Sequence, residues 1–301
     1  MFIFLQLATD RLMVESYAAK GGTFSGKGFY VSIEDTDVTL PECFEAQGRE
    51  VKSGLDFRNA FHLWGGVTAD FFVPCGGRPS SVTIDNVDSL FDASGQCRFK
   101  YIVEGANLFI TEGARNVLQN RGVPLFKDAS TNKGGVTSSS LEVLAGLSMS
   151  EDDLAINMSV SADGDVPAFY EEYVKGICAK VEDNATNEFN MIWEGLSAEG
   201  NTKKGTELTD EISEAMNGLN DMIGDSDLFD NELLRERVLK KHIPASLFDQ
   251  HGYASVCERI PDNYQRAIFS MALAADFVYT HGAEADSFAF YEYMKTLEKA
   301  E

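Results

Sequence analysis

Between residues 70 and 126 the chain alternates short apolar runs with amphipathic stretches. The apolar runs predict three strands, at Asp70–Val73, Lys100–Val103 and Val123–Phe126. A short helix is predicted over residues 85–91, and a longer one over 112–120, where Thr111 can cap the start and Gly122 follows the end. Strands and helices that alternate at this spacing form right-handed crossovers, so we predict a parallel sheet covered on both faces.

After about residue 150 the strand pattern stops and apolar residues recur at helical spacing. Five helices are predicted, over Phe169–Val181, Leu208–Met222, Asn231–Lys240, Tyr264–Thr280 and Ser287–Glu298. The prolines at 244 and 261 separate some of them. We therefore predict two domains, an α/β domain over residues 1–150 and an all-helical region over residues 151–301.

The first forty residues have a mixed pattern. Met1–Ala8 is apolar but has no basic leader, so we expect the buried end of a helix rather than a signal peptide. Lys27–Ser32 and Thr36–Leu40 predict a β-hairpin, with Glu34 and Asp35 in its turn. No apolar stretch of the sequence is long enough to span a bilayer.

The composition narrows the classes of partner. The chain has 48 acidic and 25 basic residues among 301, a formal net charge of -23. A charge of this sign repels phosphate backbones and anionic lipid headgroups, so we expect neither nucleic acid nor a membrane as partner. The five cysteines are scattered without a Cys-x-x-Cys pair, which favours a reducing intracellular compartment over a disulfide framework or a zinc site.

The usual signatures of phosphate and metal sites are missing. Gly21–Gly28 approaches the Walker pattern, but Gly28 stands where a magnesium-binding hydroxyl is needed. No Gly-x-Gly-x-x-Gly follows a predicted strand. The four histidines lack the spacing of metal ligands; they are His62, His242, His251 and His281.

Glycine and asparagine occur where the predicted strands end. Cys75 and Gly76 follow the first strand, and Glu104–Asn107 follows the second. Asn132–Val136 leads into a helix whose free N–H groups and positive dipole end favour an anion. Ligands of open α/β sheets bind at the carboxyl ends of the strands, and a carboxamide such as that of Asn107 can both donate and accept hydrogen bonds.

Each of these residues also has a purely structural interpretation. Cys75 and Gly76 belong to the glycine- and proline-containing stretch Val73–Pro79, which taken alone indicates a turn, and asparagines in loops often form turns. Ser139 and Glu142 have the spacing of a capping box for a helix that continues through Leu147. On the residues alone, both interpretations stay open.

Two motifs favour the functional interpretation. They are Glu104–Asn107 (EGAN) and Asn132–Glu142 (NKGGVTSSSLE). Their order and spacing resemble those of the large NAD-dependent glutamate dehydrogenases. The resemblance implies a partial doubly wound, Rossmann-like parallel sheet with a β-hairpin insertion, followed by an all-helical C-terminal region. With only three parallel strands predicted, we expect one half of a complete dinucleotide-binding domain.

The resemblance also implies roles for individual residues. Cys75, Gly76, Asn107 and Asn132 correspond to residues that bind the cofactor NAD. Val136 corresponds to a residue that lines the substrate pocket, and Ser139 to the hydroxyl that holds the side-chain carboxylate of glutamate. The catalytic lysine and aspartate of the family lie upstream of the matching region, so no catalytic residue is assigned here.

The implied activity is the oxidative deamination of L-glutamate to 2-oxoglutarate and ammonia, in the cytoplasm or the mitochondrial matrix. We expect this chain to be the C-terminal portion of such an enzyme, incomplete as a catalyst alone and a homo-oligomer when full length. One alternative is a non-catalytic subunit that pairs with a complete enzyme. Another is a dehydrogenase of leucine or phenylalanine, against which Ser139 argues because an apolar substrate would leave its hydroxyl without a partner.

Overall fold

The computed structural model describes residues 2–4, 36–39, 50–76 and 78–299. The predicted strand over residues 27–32 and the glycine-rich segment over 21–28 lie outside these ranges. Contacts divide the chain into unit 1, with Met1–Asn132 and Lys204–Thr206, and unit 2, with Lys133–Lys203 and Glu207–Glu301. The domain division near residue 150 stays a prediction.

Unit 1 contains a parallel sheet of four described strands, in the order β1-β4-β5-β6. The strands are β1 (Phe2–Phe4), β4 (Ala69–Val73), β5 (Phe99–Val103) and β6 (Leu125–Phe126). The three strands predicted from the alternating pattern are confirmed, although β6 is shorter than predicted.

The strand β1 corrects one expectation. Residues 2–4 were predicted to end a helix, but they pair in parallel with residues 71–73 of β4. A short apolar run does not distinguish a buried helix end from a buried strand, and here the backbone of β4 provides the pairing partner. The predicted count of three parallel strands therefore becomes four.

Unit 1 also contains a second sheet, of two described strands. Its strands are β2 (Thr36–Thr39) and β3 (Glu50–Ser53), which pair antiparallel. The predicted strand over residues 36–40 is thus confirmed, but its described partner is β3, which the polar sequence at residues 50–53 did not predict. Helix α1 (Gly54–Ala60) follows directly, and the Ser53 hydroxyl accepts the N–H of Asp56 at its start.

The core of unit 1 lies around β4 and β5. The rings of Phe72 and Phe99 stack at 4.9 Å between centroids, and Ile102 is fully buried beside them. Helix α2 (Glu112–Asn120) has the predicted bounds. Gly122 has φ +80 directly after the helix, the left-handed conformation that glycine tolerates best. Residues predicted as a short helix contain a 3-10 turn at Val87–Leu90.

All described elements from residue 128 onward are helical. The α-helices are α3 (Asp128–Thr131) in unit 1, then α4 (Gly134–Ser148), α5 (Glu151–Met158), α6 (Ala168–Ser197), α7 (Gly205–Gly224), α8 (Glu232–His242), α9 (Ala245–His251), α10 (Tyr253–Arg259), α11 (Asp262–His281) and α12 (Ser287–Lys299). A 3-10 helix at Leu228–Asp230 lies between α7 and α8. The five predicted helices correspond to α6, α7, α8, α11 and α12, whereas α5, α9 and α10 were not predicted.

The helices after residue 132 enclose a second core, in unit 2. Tyr173 of α6 and Phe269 of α11 are fully buried in it, and the Tyr173 hydroxyl donates to the carbonyl of Leu141 at 2.6 Å. None of the helices within the described ranges is both long and apolar enough to cross a membrane.

Candidate functional site

Two loops meet at the carboxyl edge of the sheet in unit 1. They follow β4 and β5, and they contain the predicted cofactor residues Cys75, Gly76 and Asn107. A Cβ atom at Gly105 would lie 2.9 Å from Cys75 Sγ and 3.2 Å from the carbonyl oxygen of Pro74. These distances are too short for a side chain, so glycine at position 105 is what allows the two loops to touch.

The predicted cofactor residues are accessible at this edge. Asn107 and Asn132 are exposed, and neither carboxamide makes a hydrogen bond to another described residue. Cys75 and Gly76 are also exposed. Partial burial raises the pKa of the Cys75 thiol, which therefore stays protonated and unreactive at neutral pH. Of the four predicted cofactor residues, only the two asparagines have side chains that can both donate and accept hydrogen bonds.

Behind these loops lies a buried ion-pair network of Glu104, Arg115 and Asp128. Arg115 Nε donates to Glu104 Oε1 at 2.7 Å. Arg115 Nη2 donates to Glu104 Oε2 at 2.9 Å and to Asp128 Oδ1 at 3.0 Å. The side chains of Glu104, Arg115 and Asp128 are 0%, 8% and 7% exposed. Two carboxylates thus share one guanidinium away from water.

The environment shifts the proton affinities in this network. Burial raises the pKa of Glu104, although Arg115 opposes the shift. Burial acts to lower the pKa of Arg115, but the hydrogen bonds and charge of Glu104, with the charge of Asp128, outweigh it and raise that pKa. Sequence reasoning missed Arg115 and Asp128. The available signal was a charged residue between Ala114 and Leu118, on the face of α2 that must be buried.

The start of helix α4 belongs to unit 2 and carries the remaining predicted residues. Lys133 is its N-cap, and the first N–H groups have no acceptor within the helix. Lys133 Nζ lies 2.8 Å from Glu188 Oε1, and Tyr279 donates its hydroxyl to Glu188 Oε2 at 2.7 Å. The buried Glu188 of α6 therefore links the start of α4 to α11.

The capping box predicted at Ser139 and Glu142 is wrong. Helix α4 begins at Gly134, so Ser139 lies inside it, and its hydroxyl donates to the carbonyl of Val136 at 3.1 Å. A hydroxyl in a helix interior commonly bonds backward to its own helix in this way. The capping interpretation of Ser139 therefore does not apply, and its exposed hydroxyl remains available to a ligand.

A cavity of about 460 Å³ opens in unit 2 between α4, α6, α8 and α11. Val136, which is 70% exposed, lines it, whereas Ser139 is not among its lining residues. Asp276 lies in its wall and accepts from Lys241 Nζ at 2.6 Å, with His242 Nε2 at 2.9 Å. Burial acts to raise the pKa of Asp276, but the hydrogen bonds and charges of His242 and Lys241 lower it overall.

Metal chemistry finds no support in the part of the chain that the structure describes. No group of three or more His, Cys, Asp or Glu side chains there could hold a metal ion. His62 is instead buried between aromatic rings, with its ring stacked on Phe72 at 5.7 Å and edge-on to Phe109 at 5.2 Å.

Comparison with known proteins identifies close relatives. The chain is 44% identical over 295 residues to glutamate dehydrogenase 2 of Dictyostelium discoideum, an alignment that covers 98% of this chain and 27% of the relative. It is 44% identical over 298 residues to a probable NAD-specific glutamate dehydrogenase of Schizosaccharomyces pombe (97% and 25%), and 42% identical over 289 residues to an NAD-specific glutamate dehydrogenase of Neurospora crassa (96% and 27%). The chain spans about a quarter of the length of these relatives.

No solved structure matches this chain significantly. The family model of the glutamate/leucine/phenylalanine/valine dehydrogenases matches residues 33–200, which is more than half of the chain. Both motifs singled out in the sequence, at residues 104–107 and 132–142, lie within that match. The chain therefore belongs to the glutamate/leucine/phenylalanine/valine dehydrogenase family.

Proposed function

We propose that this chain forms part of an NAD-dependent glutamate dehydrogenase, which converts L-glutamate to 2-oxoglutarate and ammonia. The three relatives described above are glutamate dehydrogenases by name, and two of these names specify NAD. The observation that carries the proposal is the contact between the loops after β4 and β5, where only glycine fits at position 105 and the Asn107 carboxamide is left exposed.

The exposed groups fit the polar parts of a dinucleotide. A nicotinamide carboxamide and a ribose present both donors and acceptors, and the carboxamides of Asn107 and Asn132 supply both. At Gly76 a Cβ would meet no atom within 4 Å, so the backbone there is open to a ligand. NAD would accept the hydride from the α-carbon of glutamate. The role of these residues is to bind the dinucleotide and to orient its nicotinamide ring, because hydride transfer requires the two reacting carbons to be held in near-attack geometry.

The start of α4 supplies groups for the substrate. The N–H groups of the first helical turn attract an anion, and we assign them a carboxylate of glutamate. We assign the Ser139 hydroxyl a hydrogen bond to the side-chain carboxylate of glutamate, which it donates when it turns away from the carbonyl of Val136. Val136 contributes an apolar wall. We assign no proton-transfer residue to this chain, so its role is to hold cofactor and substrate.

We also propose that the protein assembles with identical chains and acts in the cytoplasm or the mitochondrial matrix. The scattered cysteines support a reducing compartment. Light scattering of the native protein tests the assembly. Isolation of a mixed complex with a longer dehydrogenase would instead support a partner subunit.

Cofactor binding is tested with Asn107→Ala and Asn132→Ala in the native protein that carries this chain. Each substitution should weaken NADH binding about fivefold to tenfold, because a hydrogen bond contributes about 1 to 1.5 kcal/mol. Asn120→Ala, at the exposed far end of α2, is the matched control. Fluorescence titration of NADH gives the dissociation constants, and unchanged values for both variants would contradict the assignment.

Substrate binding is tested with Ser139→Ala, with Ser138→Ala as its control. Both hydroxyls donate to the carbonyl three residues earlier, at 3.1 Å and 3.0 Å, so both variants lose the same helical contact. Only Ser139→Ala should raise the KM for glutamate, by about tenfold or more, since a hydrogen bond to a charged group contributes about 1.5 to 3 kcal/mol. Equal KM values in the two variants would remove Ser139 from the site.

A further inference from the structure

We propose that Arg115 is a positioning residue for the cofactor. Through Glu104 and Asp128 it fixes the two loops that carry Asn107 and Asn132. The inference rests on the proposed function, because it presumes that those two carboxamides bind the dinucleotide. It adds a residue that contacts no ligand and that belongs to neither of the motifs at residues 104–107 and 132–142.

Both carboxylates that Arg115 binds hold the loop of Asn107, through main-chain N–H groups that follow Asn107. Leu108 donates its N–H to Asp128 Oδ2 at 2.7 Å, and Ile110 donates its N–H to Glu104 Oε2 at 3.3 Å. Leu108 has φ +55, a conformation that costs free energy for a residue with a side chain. The hydrogen bond to Asp128 supports this backbone directly beside Asn107.

The loop of Asn132 is tied to the same two acidic residues. Asn132 donates its N–H to the carbonyl of Asp128 at 2.9 Å. Thr131 donates its hydroxyl to the carbonyl of Glu104 at 2.6 Å. The main chains that carry the two carboxamides are therefore joined through one network, with Arg115 at its centre.

Arginine suits this position because its planar guanidinium bonds two carboxylates in a fixed geometry. Lysine keeps the positive charge but cannot reproduce the paired bonds to Glu104 together with the bond to Asp128. With lysine at 115, two buried carboxylates face each other around a single ammonium. We expect the two loops to lose their relative placement, and the cofactor to bind more weakly.

Arg98 provides a matched control. Arg98 and Arg115 are both 6% exposed. Among the described residues, the Arg98 guanidinium donates only to main-chain carbonyls, those of His62, Trp64, Val67 and Ser89. None of these lies in the loops of Asn107 and Asn132. Arg98→Lys therefore disturbs a buried arginine in the same unit without touching the proposed positioning network.

The experiment compares Arg115→Lys and Arg98→Lys in the native protein, by NADH titration, by the KM values for NAD and glutamate, and by thermal unfolding. We expect Arg115→Lys to raise the NADH dissociation constant and the KM for NAD about tenfold, with the KM for glutamate changed less than about twofold. Arg98→Lys should lower the Tm and leave both constants within about twofold of wild type. Asp128→Asn, which keeps the side-chain shape, should weaken NADH binding too, and it decides the question if Arg115→Lys does not fold.

The other outcomes are distinct. If Arg115→Lys, or Asp128→Asn in its place, binds NADH as wild type does, or if Arg98→Lys loses as much affinity, the positioning role is overturned while the proposed function stands. If the wild-type protein shows no saturable NADH binding, the proposed function fails, and the positioning role fails with it.

Discussion

At the scale of single residues, burial controls the chemistry of His62. The side chain is 3% exposed, and burial lowers its pKa to about 4, against the effect of a hydrogen bond with the main chain of Ser81. Among the described residues, its Nε2 atom has no hydrogen-bond partner. Protonation would place a charge between aromatic rings, so the neutral imidazole is the form that fits the core.

This shift predicts a loss of stability in acid. The pKa of His62 falls from 6.5 to about 4 on folding, so the unfolded chain takes up the proton first. The stability is complete above about pH 6.5 and falls as the pH drops toward 4, by about 3 kcal/mol in total. His62→Phe should remove this part of the pH dependence. Urea unfolding at pH 7 and pH 4.5 measures the loss of stability between the two pH values. Identical losses in His62→Phe and wild type would contradict the prediction.

A close contact at Gly205 gives a second prediction at this scale. A Cβ there would lie within van der Waals overlap of the Leu125 carbonyl oxygen, inside unit 1. Gly205→Ala should therefore destabilise the protein by about 2 kcal/mol or more, because the main chain fixes the position of the Cβ and the Leu125 carbonyl is itself main chain, so neither can move aside. Gly218→Ala on the same helix meets no atom within 4 Å and should stabilise it by up to about 1 kcal/mol. The denaturant midpoint of each variant gives the sign of its change in stability, and changes of the same sign in the two variants would refute the steric argument.

At the scale of elements, local signals were enough where a helix has unambiguous ends. Helix α2 has the predicted bounds, with Thr111 before its first residue and Gly122 just past its end. Thr111 is the N-cap residue, but its hydroxyl makes no capping hydrogen bond, so that part of the prediction is wrong. The signals failed at α4, where the Ser-x-x-Glu pattern predicts Ser139 as the N-cap residue, whereas the N-cap residue is Lys133, six residues earlier. The two glycines at 134 and 135 argued against helix, but Lys133 forms an ion pair with Glu188, a contact between distant residues that no local pattern contains.

The contacts of Glu188 predict that its carboxylate contributes to the free energy of unfolding. Glu188→Ala removes the acceptor of both Lys133 and Tyr279, and it leaves the half-buried tyrosine hydroxyl without this partner. We expect a loss of about 2 kcal/mol in the free energy of unfolding. Glu182→Ala, at an exposed position of α6, should change it by less than about 0.5 kcal/mol. Chemical denaturation gives the free energy of unfolding of each variant, and similar losses in the two variants would contradict a stabilising role of the Glu188 contacts.

At the scale of the whole molecule, charge is the dominant feature. A formal net charge of -23 means that repulsion among acidic side chains opposes the compact state. Several described ion pairs are on the surface, such as Lys100 with Asp70 at 2.6 Å, and such exposed pairs contribute little. The repulsion is therefore only partly compensated.

This balance predicts that salt stabilises the protein. Raising NaCl from 0.01 M to 0.15 M shortens the screening length from about 30 Å to about 8 Å. The Tm should rise by about 2 to 4 °C, which corresponds to about 1 kcal/mol for a domain of this size. KCl should act like NaCl if the effect is screening. A Tm that stays constant or falls would mean that the attractive pairs outweigh the repulsion.

Local patterns of residues were sufficient for the strands β4 and β5, for helix α2, for five helices of the tail and for the motifs that identify the family. Periodicity, turn residues and caps act within a few positions of the chain, so they can be read directly from it. The pairing of Phe2–Phe4 with β4, the burial of Arg115 between Glu104 and Asp128, and the true start of α4 required the folded structure. Each depends on partners that are distant in sequence or that a local pattern does not mark, and only folding brings such partners together.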